Sequence, residues 1–310
     1  MATANSPDML DEDLLDDILS RAEECEELRQ WEEYNALRLQ SIQLFAQHFG
    51  PDHKITSKYK MNLAYNYRAQ GKFKEAEYVA LDVVERQRRI LGDHADTASA
   101  MNSLSISVKG QGRVEEGLHL DEETLEMLRR VEGDGADATL SAMQNLANSY
   151  FNVDRHDEAA KLHQKVVDIR VQIFGKNDRD TIIAMDMLAR DFTAVGEWDK
   201  AARLQEEVTG LAQANFGDGD NTTITCVLNL LKTYTHLGEQ AKVVKLMEGA
   251  LSSFRQLGRD HTNLSATLLK QLALEYTEQG QLEKAEPLLD EFYEWIKCAN
   301  PDLLSIENCG

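Results

Sequence analysis

Asparagine side chains recur at one spacing along the chain, beside lysines and arginines, and this combination suits binding rather than catalysis. Asn62, Asn145 and Asn229 stand 83 and 84 residues apart. An amide carries both a donor and an acceptor, so a row of amides can pair with an extended peptide backbone whatever its side chains. Neighbouring Lys and Arg favour acidic ligands through steering and charge-assisted hydrogen bonds. These residues predict a peptide-binding surface.

The candidate binding residues share positions three, six, nine or ten residues before a recurring turn. They are Asn62, Tyr65, Arg68, Asn102, Lys109, Asn145, Asn148, Arg190, Asn229, Lys232 and Lys270. Over six turns, these four positions hold five Lys or Arg residues and a single acid, Asp186. The whole chain has 54 Asp and Glu against 33 Lys and Arg. The predicted surface is therefore basic on an acidic molecule.

A purely structural role for the same side chains is the alternative. The asparagines would then cap or bridge neighbouring helices, and the basic residues would pair with nearby acids. Reversing Arg68, Lys109 and Lys232 to Glu separates the two hypotheses. Loss of an acidic ligand without unfolding supports binding, whereas an unchanged affinity in a folded variant contradicts it.

The histidines do not predict a metal site. His53, His94 and His261 each follow an Asp in a loop and recur at most once per repeat. Metal ligands must converge within a few ångströms, and these residues would lie far apart, so we predict that they cap helices. The histidines predicted to face solvent are His119, His156 and His163.

Catalytic motifs are missing from the sequence. No Ser–His–Asp, phosphate-loop or dinucleotide-loop arrangement occurs in a suitable strand context. Tyr65, Asp186 and His236 are available for acid–base chemistry, but no spacing places them together. The Glu-rich segments EECEEL and DEETLE are predicted to be exposed helix faces. We predict no catalytic residue, no cofactor and no metal.

Glycine marks the ends of the elements that must position the candidate residues. One series, 41 or 42 residues apart, is Gly50, Gly92, Gly133, Gly175, Gly217 and Gly258. A glycine after a helical pattern can adopt the left-handed conformation that ends a helix. A second series follows 20 to 22 residues later, at Gly71, Gly112, Asp154, Gly196, Gly238 and Gly280. It predicts the tight turn between the two helices of one repeat.

Apolar and small residues keep fixed distances from this turn. A leucine stands eight residues before it in all six repeats, and an aromatic residue or Val108 stands four before it. A small residue follows it by five positions, except for Val243 in the fifth repeat. The leucine and the aromatic residue are predicted to fill the space between paired helices. The small residue is predicted to let their backbones approach closely.

The pattern resembles the tetratricopeptide repeat, which normally has a 34-residue period. The segments MNLAYNYRAQGKFKEAE at 61–77 and RRILGDHADT at 88–97 resemble its longer kinesin light chain type. The resemblance covers residues 52–297 and implies an all-α, right-handed α-solenoid of about seven helix pairs. It implies that first helices line a concave groove for short cargo peptides with acidic residues around an aromatic one. The departures from the asparagine pattern of this groove are Ser103, Met187 and Gln271.

The register divides the chain into segments. A divergent capping pair at 11–50 precedes six repeats, at 51–92, 93–133, 134–175, 176–217, 218–258 and 259–297. Placing Arg29 at the first turn predicts helices near 12–28 and 32–48. The tails are a flexible acidic segment at 1–10 and a segment at 298–310. The acidic N-terminal region is a solvated cap, an acidic contact surface or, for 1–10, a strand lying in the basic groove.

Composition argues against several classes of protein. The net charge of −21 opposes non-specific binding to nucleic acid or anionic membranes. No apolar run reaches the roughly 18 residues of a membrane span, and the N-terminus is acidic where a signal peptide is basic. Cys25, Cys226, Cys298 and Cys309 lack CxxC spacing, which predicts reduced thiols in a cytoplasmic protein.

The sequence thus predicts a non-catalytic adaptor that binds an extended, acidic protein or peptide segment in its groove. A solenoid that assembles through its ends is one alternative, so homo-oligomerisation stays open. An enzyme or small-molecule binder that uses the concave bowl is another. Because the repeats begin almost at once, with no heptad coiled coil before them, we do not expect a motor subunit.

Overall fold

The chain folds into helices alone over the residues that the computed structural model describes, 12–258 and 263–299. Fourteen helices in these ranges form seven consecutive pairs, as the repeat pattern predicts. The pairs are α1 (Glu12–Glu27) with α2 (Trp31–Phe49), α3 (Lys54–Ala69) with α4 (Phe73–Leu91), α5 (Ala95–Gly110) with α6 (Val114–Val131), α7 (Asp137–Asn152) with α8 (His156–Ile173), α9 (Arg179–Ala194) with α10 (Trp198–Phe216), α11 (Asn221–Leu237) with α12 (Gln240–Gln256), and α13 (Asn263–Glu278) with α14 (Leu282–Ala299).

The chain divides into two compact units, Met1–Leu162 and His163–Gly310, with the boundary inside α8. In the first unit, each helix from α1 to α6 packs on the next, and α3 also touches α5. In the second unit, the same holds from α9 to α14, and α9 touches α11. First helices of neighbouring pairs therefore lie side by side within a unit. The predicted tails at 1–10 and beyond residue 299 lie outside the described residues, as does His261.

The turns follow the predicted register. Every marker glycine has a positive φ. Among the described residues, Arg29 and Asp154 alone adopt such a φ without being glycine, at 55° and 60°. Asp154 is the one non-glycine residue of the second marker series, and Arg29 is the turn assigned to the divergent pair. The left-handed residue at Arg29 thus confirms the register of a pair that has no glycine in its turn.

The core follows the predicted spacing. All six leucines that stand eight residues before a turn are buried, from Leu63 to Leu272. The small residues five positions after the turn are buried as well, as is Val243. His53 and His94 accept backbone hydrogen bonds through Nδ1, from Ile55 at 3.2 Å and Asp96 at 3.1 Å. These two histidines therefore cap helices, as predicted.

Three of the four tyrosines that stand four residues before a turn do more than fill space, the exception being Tyr67. Tyr150 donates to Glu122 at 2.9 Å and Tyr234 donates to Glu206 at 2.6 Å. Tyr276 donates to Glu248 in the same way. Each bond ties a first helix to the second helix of the preceding pair. Where the place of the glutamate is held by Leu81 or Gln164, the corresponding residue is Val108 or Phe192, which has no hydroxyl.

Two polar residues are buried where we predicted exposure. His163 is fully buried and its Nδ1 lies 2.5 Å from Oδ2 of Asp191, so the prediction that it faces solvent is wrong. Asp121, in the DEETLE segment, is only 3% exposed. Both residues stand nine positions after a turn, four after the buried small residue, and helix positions four apart share a face. The register therefore outweighs the polarity of the side chain.

Candidate functional site: the first-helix face

The candidate residues lie on one side of the first helices, which we call the first-helix face. Its positions are three, six, nine and ten residues before the turn. The residues eight before the turn are buried in the core, and those four before it are buried or half-buried. In the first unit the face is carried by α3, α5 and α7. In the second unit it is carried by α9, α11 and α13. We describe the face of each unit separately.

Two amides of the first unit bind each other. Asn145 on α7 donates through Nδ2 to Oδ1 of Asn102 on α5, at 3.0 Å. This bond bridges neighbouring repeats, as the structural alternative predicted. It uses one amide proton of Asn145 and Oδ1 of Asn102, which leaves Oδ1 and one proton of Asn145 and both amide protons of Asn102. Asn62 on α3 is exposed, and Asn148 on α7 is half-buried with contacts of its own.

Arg68 is half-buried against its own unit. Its guanidinium donates to the hydroxyl of Ser103 and lies 5.7 Å from the ring centre of Tyr65. Burial lowers the pKa of Arg68, and the nearby Tyr65 opposes that shift. Tyr65 itself is 63% exposed. Arg68 therefore lies over the ring of Tyr65, and most of that ring remains exposed to solvent.

Lys109 points away from the first-helix face. Its ammonium group lies 2.7 Å from Oδ2 of Asp121 and 2.8 Å from the hydroxyl of Ser149. Ser105 donates to the other carboxylate oxygen of Asp121, at 2.5 Å. A Cβ on Gly117 would lie 2.2 Å from Cγ of Lys109, so the glycine leaves room for the lysine stem. Lys109 is engaged in a network that joins α5, α6 and α7.

In the second unit, the amide of the face binds a carboxylate. Asn229 on α11 donates through Nδ2 to Oδ2 of Asp186 on α9, at 2.8 Å. Burial raises the pKa of Asp186, while the Asn229 bond and the nearby Arg190 charge act to lower it. Oδ1 of Asp186 is buried without a hydrogen-bond partner. Arg190 is half-buried and has partners of its own.

Lys232 and Lys270 differ from the other cations of the face. Both side chains are exposed, and neither has a hydrogen-bond or ion-pair partner among residues 12–258 and 263–299. Lys232 borders a cavity of about 410 Å³, and Lys270 is adjacent to Gln271, which also lines it. The remaining lining residues are Leu231, Thr235, Met247, Leu274, Glu275 and Glu278. The carboxylate of Glu275 accepts a hydrogen bond from Gln240. One of these two unpaired cations, Lys232, therefore lies at an open cavity.

The residues considered for acid–base chemistry have other partners. His236 stacks on Trp198 with ring centres 3.5 Å apart, while Asp186 binds Asn229. Among the described residues, no group of three or more His, Cys, Asp or Glu is arranged to hold a metal ion. No helix in this part of the chain is both long and apolar enough to cross a bilayer.

Sequence reasoning missed the polar network around Asp121 and the glutamate–tyrosine bonds. A signal for the bonds was present, because Glu122, Glu206 and Glu248 each stand 28 residues before a tyrosine of the repeat. A signal for the network was the glycine at 117, where the other repeats have alanine or Val243. A missing Cβ at a buried helix position often makes room for a neighbouring group.

The family of the chain follows from its helix pairs and from a direct sequence match. The model of the tetratricopeptide repeat matches residues 56–130, 96–170 and 138–214. The chain belongs to the tetratricopeptide repeat family. Its repeats are of the kinesin light chain type, with the period of about 42 residues seen in the glycine series. A comparison with curated protein sequences finds no match.

Solved structures with the same fold include kinesin light chain-like proteins. Nearly identical TPR-like repeats from a Podosopora anserina chain classed as a kinesin light chain align at 21% identity, over 67% of this chain and 99% of that one, with a TM-score of 0.60. BtubC (BKLC) from P. vanneervenii aligns at 18% identity, over 74% and 92%, with a TM-score of 0.62. A Rap protein complexed with Competence and Sporulation Factor aligns at 13% identity, over 90% and 81%, at 0.50. At such identities the likeness concerns the fold.

Proposed function

We propose that this tetratricopeptide repeat protein is a non-catalytic interaction module whose first-helix face binds an extended, acidic segment of another protein. The repeat family supports the general role, and the Rap protein complexed with Competence and Sporulation Factor is a relative in fold that holds a partner. The unpaired lysines of the face support an acidic ligand. We propose a cytoplasmic setting, since Cys25 and Cys226 are free thiols.

Lys232 and Lys270 carry the proposal. They are exposed, without partners among the described residues, on a chain of net charge −21. Lys232 lines the 410 Å³ cavity with the apolar Leu231 and Leu274, and Lys270 precedes the lining residue Gln271 in sequence. Two carboxylates, Glu275 and Glu278, also line it, and Glu275 is bound by Gln240. An extended segment with carboxylates would find cations for its charges, and an apolar side chain of the same segment would find the cavity.

The contacts of Lys109 change which residues should be reversed. Lys109→Glu would place a second carboxylate beside the buried Asp121, and repulsion there would unfold the repeat. Loss of binding in such a variant would therefore not report on the face. The informative variant is Lys232→Glu with Lys270→Glu, because both side chains are solvated in the folded chain.

The experiment is a selection of random 12-residue peptides displayed on phage, with the full chain as bait. We expect the bound peptides to be enriched in Asp and Glu. A selected peptide should bind Lys232→Glu/Lys270→Glu at least about tenfold more weakly in fluorescence anisotropy, because two attractions become two repulsions. The matched control is Lys74→Glu/Lys161→Glu, which changes two exposed lysines on second helices by the same charge.

The control variant should bind within about threefold of the unmodified chain, since exposed charges off the binding surface act weakly through screening solvent. Circular dichroism should show both variants folded. Selected peptides without acidic enrichment contradict the proposal. So does an affinity that falls equally in the two double variants.

Self-association through the last helix is a second candidate, favoured by its exposed apolar side chains. Leu282 is 63% exposed and Tyr293 is 58% exposed on α14. Sedimentation velocity over a range of protein concentrations tests this candidate. A dimer that is lost in Leu282→Ser/Tyr293→Ser supports it, whereas a monomer at all concentrations contradicts it.

A further inference from the structure

The second unit contains an apolar cavity of about 540 Å³ that reaches the first-helix face at Leu228 alone of the face positions. It lies between α11, α12 and α13, at the side of the last turn of α10. Apolar lining comes mainly from Val227, Leu246, Phe254, Leu264 and Leu268. None of its lining residues borders the 410 Å³ cavity near Lys232. Its volume falls within the range of about 300–1,000 Å³ of small-molecule sites.

Two changes of side-chain size in one repeat produce this cavity. Five residues after the turn, Val243 stands where the other repeats have alanine or glycine, and it is buried. The helices α11 and α12 are in less close contact than those of α3–α4, α5–α6, α9–α10 and α13–α14. This agrees with the extra bulk of Val243, since two backbones approach closely only over small residues. Twelve residues after the turn, Ala250 lines the cavity. In each of the other five repeats the same position holds a larger residue, namely Val83, Thr124, Val166, Val208 and Phe292.

The polar groups around the cavity differ in whether they already have a partner within the chain. The Tyr234 hydroxyl is bound to Glu206 at 2.6 Å, and the Ser253 hydroxyl to Asp218 at 2.7 Å. Lys242 lies over the Tyr234 ring at 4.9 Å and approaches Glu206. Lys245 also lines the cavity, is exposed, and has no partner within the described part of the chain.

We propose that this cavity binds a small aliphatic carboxylate, a free fatty acid of medium chain length. The aliphatic chain lies against Val227, Leu264 and Leu268. The carboxylate meets Lys245, whose charge has no partner among the described residues, and gains from the nearby Lys242. Two lysines line the cavity, and its one carboxylate, Asp218, is already held by Gln213 at 3.0 Å and Ser253 at 2.7 Å. An apolar body with this rim selects an aliphatic carboxylate over a neutral alcohol of equal length and over an amine.

The first test uses decanoate, below the concentration at which it forms micelles, and isothermal titration calorimetry with the full chain. We expect saturable binding of one molecule. Ala250→Val restores the residue size of the other repeats, fills part of the cavity, and should weaken binding at least tenfold while the variant stays folded. Ala250→Phe, the residue found at position 292, should abolish binding. No heat of binding to the unmodified chain overturns the proposal, as does equal affinity for folded Ala250→Val.

The second test concerns the charge. Lys245→Glu should weaken decanoate at least tenfold and leave decanol binding within threefold. The matched control is Lys161→Glu, the same change at the same repeat position on α8, which should leave both ligands within threefold. A decanol affinity equal to that of decanoate overturns the assignment of an anion. So does a loss of decanoate that is equal in the two lysine variants.

Discussion

Lys109 and Lys232 both stand on first helices, three and six residues before their turns, yet their ammonium groups meet different surroundings. The stem of Lys109 crosses Gly117 and its charge is neutralised by the buried Asp121. Lys232 projects beside an open cavity and has no partner among the described residues. A cation can recruit an acidic ligand only where no acid of its own chain holds it. The proposed binding surface is therefore strongest in the second unit.

Asp186→Asn should raise the melting temperature at neutral pH. Burial raises the pKa of Asp186 in the folded chain, so its ionised form opposes folding above that pKa. The amide keeps an acceptor for Asn229 and has no charge to desolvate. The gain should shrink as the pH falls through the folded pKa and vanish below the unfolded value of about 3.9.

Differential scanning calorimetry of both proteins from pH 8 to pH 4 measures this difference. A variant that is less stable at neutral pH would show that attraction to Arg190 outweighs desolvation. The same substitution should tighten the binding of an acidic peptide, because Asp186 is the sole acid among the candidate positions.

Arg29→Gly should stabilise the chain by about 1 kcal/mol. Arg29 has a φ of 55°, and an L side chain in this region costs about 1–2 kcal/mol that glycine avoids. The greater freedom of glycine in the unfolded chain offsets part of the gain. The matched control is Gln30→Gly, since Gln30 has a φ of −84° and gains nothing from glycine. Urea unfolding measures both variants, and a lower midpoint for Arg29→Gly would contradict the expectation.

At the scale of the elements, what joins neighbouring pairs is a set of polar contacts laid over an apolar core. Tyr150, Tyr234 and Tyr276 each bind a glutamate of the preceding second helix. Burial and the bonded carboxylate raise the pKa of Tyr276 to about 12. Lys109, Asp121 and Ser149 connect three consecutive helices. The tyrosine bonds join α6 to α7, α10 to α11 and α12 to α13.

Asp121→Ala should lower the free energy of unfolding by about 3 kcal/mol or more. The substitution removes the acceptor of Ser105, Ser149 and Lys109, and leaves an ammonium group without its counter-charge. Glu126→Ala on the same helix is the control. Glu126 is 73% exposed, so its removal should cost less than about 0.5 kcal/mol. Chemical denaturation of both variants decides the point, and equal losses would mean that the network contributes little.

The elements were the most predictable level of the structure. Helix number, turn positions and the buried leucines follow from backbone conformation and helical period, which depend on residue type and spacing alone. The partners of Lys109, His163 and Asp186 were not predictable in this way. Each partner stands 12 to 43 positions away in sequence. For Lys109, the contact also depends on Gly117, where a Cβ would collide with the lysine stem. The sequence predicted which positions form the first-helix face. It did not predict that Lys232 and Lys270 would be the cations of the face without partners among the described residues.

At the scale of the whole molecule, the net charge of −21 is the dominant electrostatic property. Acids outnumber bases in a chain whose ion pairs are mostly solvent-exposed, from Arg21 with Asp17 to Lys297 with Glu294. Exposed pairs contribute little, whereas the repulsion of unpaired carboxylates acts over the whole surface. A compact acidic chain is therefore destabilised at low ionic strength.

Raising NaCl from 10 to 200 mM should increase the melting temperature by about 2–5 °C, because the screening length falls from about 30 Å to below 10 Å. Calorimetry at pH 7.5 measures the shift. Sucrose of equal osmolality serves as the control for solute effects without screening. A melting temperature that falls with NaCl would show that ion pairs outweigh the repulsion of the excess acids.

The buried polar pairs that join neighbouring repeats restrict which repeats can be lost or exchanged during evolution. Asp121 meets Ser149, and His163 meets Asp191, each across 28 residues. Loss of one 42-residue repeat by recombination, with α6 joined to α9, would set Asp121 against Asp191, and both side chains are buried in the present chain. The two carboxylates would repel each other, whatever the fit of the apolar residues. Each of these interfaces therefore fits the repeat that now follows it. Repeats that look interchangeable in sequence cannot be deleted or exchanged without placing incompatible side chains together.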